Sequence, residues 1–325
     1  MMERDHQKGA ALIVVLLLAA TLAFVLAAIA ETMTTATRRA FAERARADLT
    51  WKAIAAETIA RKAIALEMKS GALRRSVDGG GLFGGAIVAP IPGGAAQLAF
   101  SDAGRCFNIN SLVTGGPGEY RRQDEAVAEL IALGLAAGLG EGDMRALAAV
   151  AVDWIDSDPS PEAGGAEDGF YSARPEPYRT GAALLASVSE LRALNGVTSE
   201  LFRAIAPYLC AAPDPSPMVL NANTLRPRDA PLLVAALGGK MGAAEAAGII
   251  AQRPPGGYSS VEQFFAAPGI EGQAEGRSRI GVAPVYIEAR VKLSASGGEL
   301  EQTLVFRVQD DGAAKLVRRT LGDEP

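Results

Sequence analysis

The residues with the most chemical potential are six carboxylates within sixteen positions: Asp153, Asp156, Asp158, Glu162, Glu167 and Asp168. Counted from Asp156, oxygen-bearing side chains fall at one, three, five (Ser160) and seven, and Glu167 falls at twelve. Hard divalent cations take several oxygens converging from a tight loop, so this spacing is that of a calcium loop. Position six, where such loops place glycine for a sharp turn, is Pro161, so the segment is not an EF-hand. Two readings follow, a solvated acidic loop or a structural calcium site on Asp156, Asp158, Glu167 and Asp168. Either one closes the loop rather than catalysing a reaction.

Other chemistries are short of parts. His6 is the single histidine, which leaves histidine zinc sites and Ser/Cys–His catalysis without their central residue. Cys106 and Cys210 are the only cysteines; they form one disulfide in an oxidising compartment or remain two buried thiols. The 37 acidic side chains outnumber 32 basic ones for a net charge of −5, which argues against broad nucleic-acid binding. Leu191–Val197, followed by an apolar helix, has the form of a helix-hairpin-helix, and Ala247–Phe265 is a looser match. Thr198 replaces the second hairpin glycine and only Arg192 and Arg203 stand near, so a compact packing unit is the better reading.

The elements that position these residues are readable in outline. Glu125–Leu139 and Asp143–Ile155 are expected helices, as are Leu184–Leu194, Ser199–Leu209, Pro231–Leu237 and Ala243–Gln252. Capping boxes at Ser187/Glu190 and Ser259/Glu262 mark two helix starts. Ala86–Ala89, Gln97–Phe100 and Cys106–Asn110 read as short strands. Val285–Leu293, Leu300–Val308 and Ala314–Thr320 form a terminal antiparallel meander. Asn108-Ile109-Asn110-Ser111-Leu112 is echoed by Asn221-Ala222-Asn223-Thr224-Leu225, two turn or helix-cap entries.

The N-terminal part sets the class. Ala10–Ala30 holds no charge, glycine or proline, and its 21 residues are enough to cross a bilayer core as a helix. A cleavable signal would be shorter and end at a small-residue site. Here the run continues into Glu31–Ser70, with a stripe at Leu49, Ala53, Ala56, Ala60, Ala63 and Leu66, until Gly71. One helix from about residue 10 to 70 is predicted. Arg38, Arg39, Arg44 and Arg46 follow the apolar run and only Arg4 and Lys8 precede it, which by itself favours a cytoplasmic C-terminus.

The short leader ending in Lys8-Gly9, followed at once by the apolar helix, resembles a type IV prepilin. This resemblance implies cleavage by a prepilin peptidase between Gly9 and Ala10, and it outweighs the arginine asymmetry, since long domains are translocated regardless of flanking charge. The fifth residue after the cut is Val14, where most such proteins carry glutamate. A buried carboxylate needs a cationic partner, so its absence suits a subunit with none ahead of it. Asp153–Asp158, Gly165–Tyr171, Val188–Leu191, Pro207–Leu209 and Asn221–Thr224 occur in the order seen in the type II secretion system protein K family. The resemblance spans nearly the whole chain.

It implies an α+β fold, with a pilin-like long helix packed on an antiparallel sheet. The parts are a leader (1–9), an anchor helix (10–30), the first pilin-like portion (31–105), an inserted helical domain (106–215) and a pilin-like remainder (216–325). It further implies a minor pseudopilin in the bacterial inner membrane, head in the periplasm, that caps a pseudopilus beside the minor pseudopilins I and J without nucleic acid. Calcium at acidic residues of the insert, and a Cys106–Cys210 bond across it, fit that setting. The role implied is mechanical. Alternatives from other classes are a minor type IV pilus subunit, a membrane-anchored helix-hairpin-helix DNA receptor and a metal-dependent hydrolase.

Overall fold

The computed structural model describes residues 3–270, 274–295, 298–309 and 311–322, with residues 3–11 and 274–275 described by backbone alone. Helix α1 runs Glu3–Lys69, 67 residues, or about 100 Å at the α-helical rise. It begins before the expected residue 10; the Gly9–Ala10 junction lies in the backbone-only stretch, and Met1 and Met2 lie outside the described residues. Thr21, Thr32, Thr34, Thr35 and Thr37 each return their hydroxyl to a carbonyl three or four residues back, so these hydroxyl donors are satisfied within the helix. The helix ends where Gly71 turns to φ +70°. An apolar stretch near its N-terminus is long enough to cross a membrane, and none of it is buried in the fold.

Strands β1 (Ala86–Ile91) and β2 (Gly94–Asp102) form a hairpin whose turn at Pro92-Gly93 uses φ +74° at Gly93. Pro90 is accommodated because β1 is an edge strand.

The chain then leaves the sheet for a helical block. Its pieces are β3 (Phe107–Asn108), β4 (Val113–Thr114), β5 (Arg121–Arg122), α2 (Asp124–Ala136), α3 (Glu141–Ile155), α4 (Asp168–Ser172), α5 (Ser199–Ile205), β6 (Leu209–Cys210), β7 (Leu220–Asn221), α6 (Ala230–Ala236), α7 (Ala243–Ala251), α8 (Val261–Phe265) and β8 (Ile280–Gly281). Strands β9 (Tyr286–Ala295), β10 (Gly298–Val308) and β11 (Ala314–Leu321) complete an antiparallel five-stranded sheet of order β1-β2-β9-β10-β11.

Alternation explains the sheet. Ala96, Leu98, Phe100, Ile287, Ala289, Val291, Leu293, Leu304 and Phe306 point to one face and meet Leu49, Ala53, Ala56, Ala60 and Ile64 of α1. The alanines let the helix lie close. Gln302 Nε2 donates to the Ala53 carbonyl at 2.9 Å, and Glu57 pairs with Arg319 of β11, which fixes the helix along the sheet.

The block has its own core, from Phe107 through Leu130, Met144, Leu147, Tyr171 and Leu233 to Ile280. The expected boundary at 215 falls within this apolar body. The apolar body runs on to Ile280 because α6, α7 and α8 pack into it, and the sheet resumes only at Tyr286. Leu184–Leu194 is a correction: only Val188–Ala193 is helical, as a 3-10 turn, behind the Ser187/Glu190 capping box. At α8 the cap is one residue later than expected. Ser260 Oγ accepts from Gln263 N–H, and Gln263 Oε1 accepts from Ser259 N–H.

The block attaches at one end of the sheet. A Cβ on Gly298, at the start of β10, would fall 2.8 Å from Leu49, while one on Gly312, beyond its other end, would fall 3.8 Å from Met68. The β2 exit at Asp102 and the β9 entry at Tyr286 lie at the Met68 end, away from the apolar stretch of α1.

Candidate functional site

The acidic segment follows directly from α3. The run Ala148–Val152 makes this helix buried almost all round, so an acid at its C-terminal end points inward. Asp153 is 1% exposed; its Oδ1 accepts Glu162 N–H at 3.0 Å, and its Oδ2 is buried without a hydrogen-bond partner. The loop returns over it at Gly165, where a Cβ would stand 2.0 Å from Asp153 Oδ2; only glycine lets the backbone approach. Asp156 is buried with Oδ1 unpartnered, and Glu167 has a buried, unpartnered Oε1.

Three neighbouring carboxylates thus each keep a buried oxygen that no hydrogen bond reaches. Burial, then the charges of Asp158, Glu167, Asp153 and Glu162, push Asp156 up to about 7. Burial raises Asp153 against the hydrogen bond from the Glu162 backbone, and burial followed by the Asp153 charge raises Glu167.

The four expected ligands divide. Asp156 and Glu167 face this site. Asp158 is exposed, with Oδ1 accepting Ser160 N–H, although its charge still bears on Asp156. Asp168 turns to Thr180, accepting its N–H and hydroxyl both at 2.8 Å, and these bonds hold its carboxyl below the usual range. Asp153 was missed, though a lone acid in an apolar helix end was the available signal. Among the described residues no group of three or more His, Cys, Asp or Glu side chains stands ready to hold a metal. The donor set, all-oxygen and short of protons, nevertheless fits a hard cation in kind.

The asparagine pairs do more than cap turns. Asn108 Oδ1 accepts Asn110 N–H and Ala212 N–H, and its amide donates to Asp214 and Ser216 carbonyls at 2.9 Å. Asn110 donates to Leu185 and Ala212 carbonyls and accepts Leu185 N–H. Asn223 donates to the carbonyls of Tyr258, Val282 and Arg74 and accepts Tyr258 N–H at 2.7 Å. Each staples remote backbone segments together, and none opens onto a ligand. Asp102, at the end of β2, is buried beside this second unit; burial raises its carboxyl although Thr224 Oγ1 and Gly104 N–H donate to it.

Cys106 and Cys210 are bonded, with Cα atoms 5.7 Å apart across 104 positions, beside the parallel β3–β6 pair. Of the hairpin arginines, Arg192 lies over the Phe202 ring and Arg203 pairs with Glu200; in the looser match Arg253 donates to the Leu225 and Ala222 carbonyls.

Comparison with known proteins follows the same division. Two models of one family, "Type II secretion system (T2SS), protein K", match residues 105–214 and 220–283, nearly the whole helical block. Relatives named type II secretion system protein K include one from Pectobacterium carotovorum subsp. carotovorum, 36% identical over 80% of this chain and 79% of its own length. One from Klebsiella pneumoniae is 31% identical over 82% and 81%, and one from Aeromonas hydrophila 28% over 98% of both. A chain in the crystal structure of the GspK–GspI–GspJ complex from the enterotoxigenic Escherichia coli type 2 secretion system has the same fold. It aligns with TM-score 0.72 and 24% identity over 88% of this chain and all of that one.

Proposed function

Since the chain belongs to the type II secretion system protein K family, we propose that it is the minor pseudopilin that caps the secretion pseudopilus and helps start its assembly. The observation that carries this reading is the placement of the helical block. It leaves the sheet at the end away from the apolar stretch of α1, where a further subunit would have to stack. A subunit that bears such a mass on its upper face suits a terminal position. Val14, in place of a carboxylate needing a partner ahead, supports the same position. The work is mechanical: α1 moves from lipid into a helical filament core, and the block gives exported folded proteins a blunt surface.

The partners in this reading are the minor pseudopilins I and J, as in the related complex, together with the prepilin peptidase and the inner membrane. The head lies in the periplasm, where the Cys106–Cys210 bond is chemically at home. A calcium ion would be held at Asp153, Asp156 and Glu167, neutralising carboxylates that otherwise repel one another; its contribution is to close the loop. The experiment is co-expression of the full chain with the peptidase and both partners, followed by extraction in mild detergent. A mature chain beginning at Ala10, in a complex with both partners, is the expected result. An intact Met1, or a chain that purifies alone, overturns the reading.

A further inference from the structure

The segment of α1 between the apolar stretch and the head carries a feature that packing of the head does not use. Residues 12–44 are fully exposed, and Leu49 is the first position buried by the sheet. Within this stalk stand Arg38, Arg39, Arg44 and Arg46, against Glu43 alone between residues 32 and 47. Arg46 pairs with Glu43. Among the described residues, Arg38 and Arg39 have no acidic partner.

Helix geometry sorts these arginines by height. The span Ala10–Ala30 is about 31 Å long, the thickness of a hydrocarbon core, so Ala30 marks its edge. Headgroups occupy about 5–7 Å beyond that edge. Arg38 and Arg39 emerge about 12–14 Å past Ala30, and Arg44 and Arg46 about 21–24 Å past it. An arginine side chain that folds back along its helix lowers its guanidinium by about 6 Å. Only the first pair therefore reaches the phosphate layer. Guanidinium groups bind phosphate oxygens in paired hydrogen bonds, and an anionic surface attracts such groups more than a zwitterionic one.

We propose that Arg38 and Arg39 form a binding site for anionic phospholipid headgroups on the leaflet facing the globular head. The pair holds the subunit at the membrane surface until α1 is drawn into a filament. The site rests on the membrane-anchor part of the function proposed above and goes beyond it. It also gives a physical use to the arginines on the side of the span where the positive-inside tendency disfavours them.

The test uses the full chain reconstituted in vesicles of equimolar phosphatidylglycerol and phosphatidylcholine, then extracted gently, with the retained lipids counted by native mass spectrometry. A basic residue at an anionic surface is worth about a fivefold preference, so wild type should hold phosphatidylglycerol at least tenfold over phosphatidylcholine. R38Q/R39Q should fall to near parity, R38K/R39K should keep most of the preference, and R44Q/R46Q should behave as wild type. Excess inorganic phosphate should not displace the lipid. Wild type at parity, R38Q/R39Q with undiminished preference, or equal loss in R44Q/R46Q overturns the proposal. Failure of the chain to enter vesicles of either lipid would instead remove the anchor reading itself.

Discussion

The sheet with α1 and the helical block solve the same problem by different means. The sheet region registers itself through apolar alternation over long elements: strands of up to 11 residues against five turns of one helix face. A slip of one residue would turn every core side chain outward. The helical block is assembled from helices as short as 5 residues, and apolar burial alone gives such pieces no unique relative position. Its register comes from buried asparagines, a disulfide and a loop that folds carboxylates inward. The comparison teaches that polar staples carry the specificity wherever elements are too short to register themselves.

Four perturbations would break or sharpen this contrast. The largest is removal of the Cys106–Cys210 bond. Closing about 100 residues restricts the unfolded chain by about 4.7 kcal/mol in the loop-entropy model, so C106A/C210A should lose up to that much stability in denaturant unfolding, confined to the helical block. Next is N110A, which strands one amide and two carbonyls in the buried interior and should cost about 3 kcal/mol by the same measurement. L98A in the sheet should cost a similar amount but leave the near-ultraviolet signal of Trp154 intact.

Third, calcium should raise the melting temperature of wild type, and a chelator should lower it. D153N and E167Q should shrink that calcium response; equal melting with calcium and with chelator would remove the cation from the site.

The smallest concerns Asp78. Burial lifts its carboxyl, but the hydrogen bonds and charge of Arg226, with Arg105 and Arg253, outweigh burial and hold it below 3.8. Its folded value lies below its unfolded one, so the pair stabilises above about pH 4 and loses its contribution as pH falls through the folded value. D78N should lower stability at neutral pH by that contribution and flatten the acid limb of a stability-versus-pH curve, leaving the value at the lowest pH nearly unchanged.

Legibility followed the same divide. Helix α1 ends within one residue of its expected stop because no glycine or proline intervenes before Gly71. The three terminal strands were visible in their alternation. The block was harder to read: its second unit was assigned to the sheet region because short apolar helices carry no mark of which core they join. The Ser259/Ser260 shift shows how two adjacent cap formers hide a boundary. In the acidic segment, spacing singled out Asp156 and Glu167 but said nothing of burial, so Asp153 stayed hidden and Asp168 looked available until Thr180 was seen beside it.

The block enters and leaves the sheet through β2 and β9, neighbours paired from Gly94↔Ala295 to Asp102↔Ile287. Both strands therefore receive any load at the same end. Tension on the block would pull both strands in the same direction, along their length rather than apart from each other. Compression seats the block on the strand ends, where Arg226 meets Asp78 and Thr224 meets Asp102. The molecule is built like a strut that takes its load along paired strands from one end.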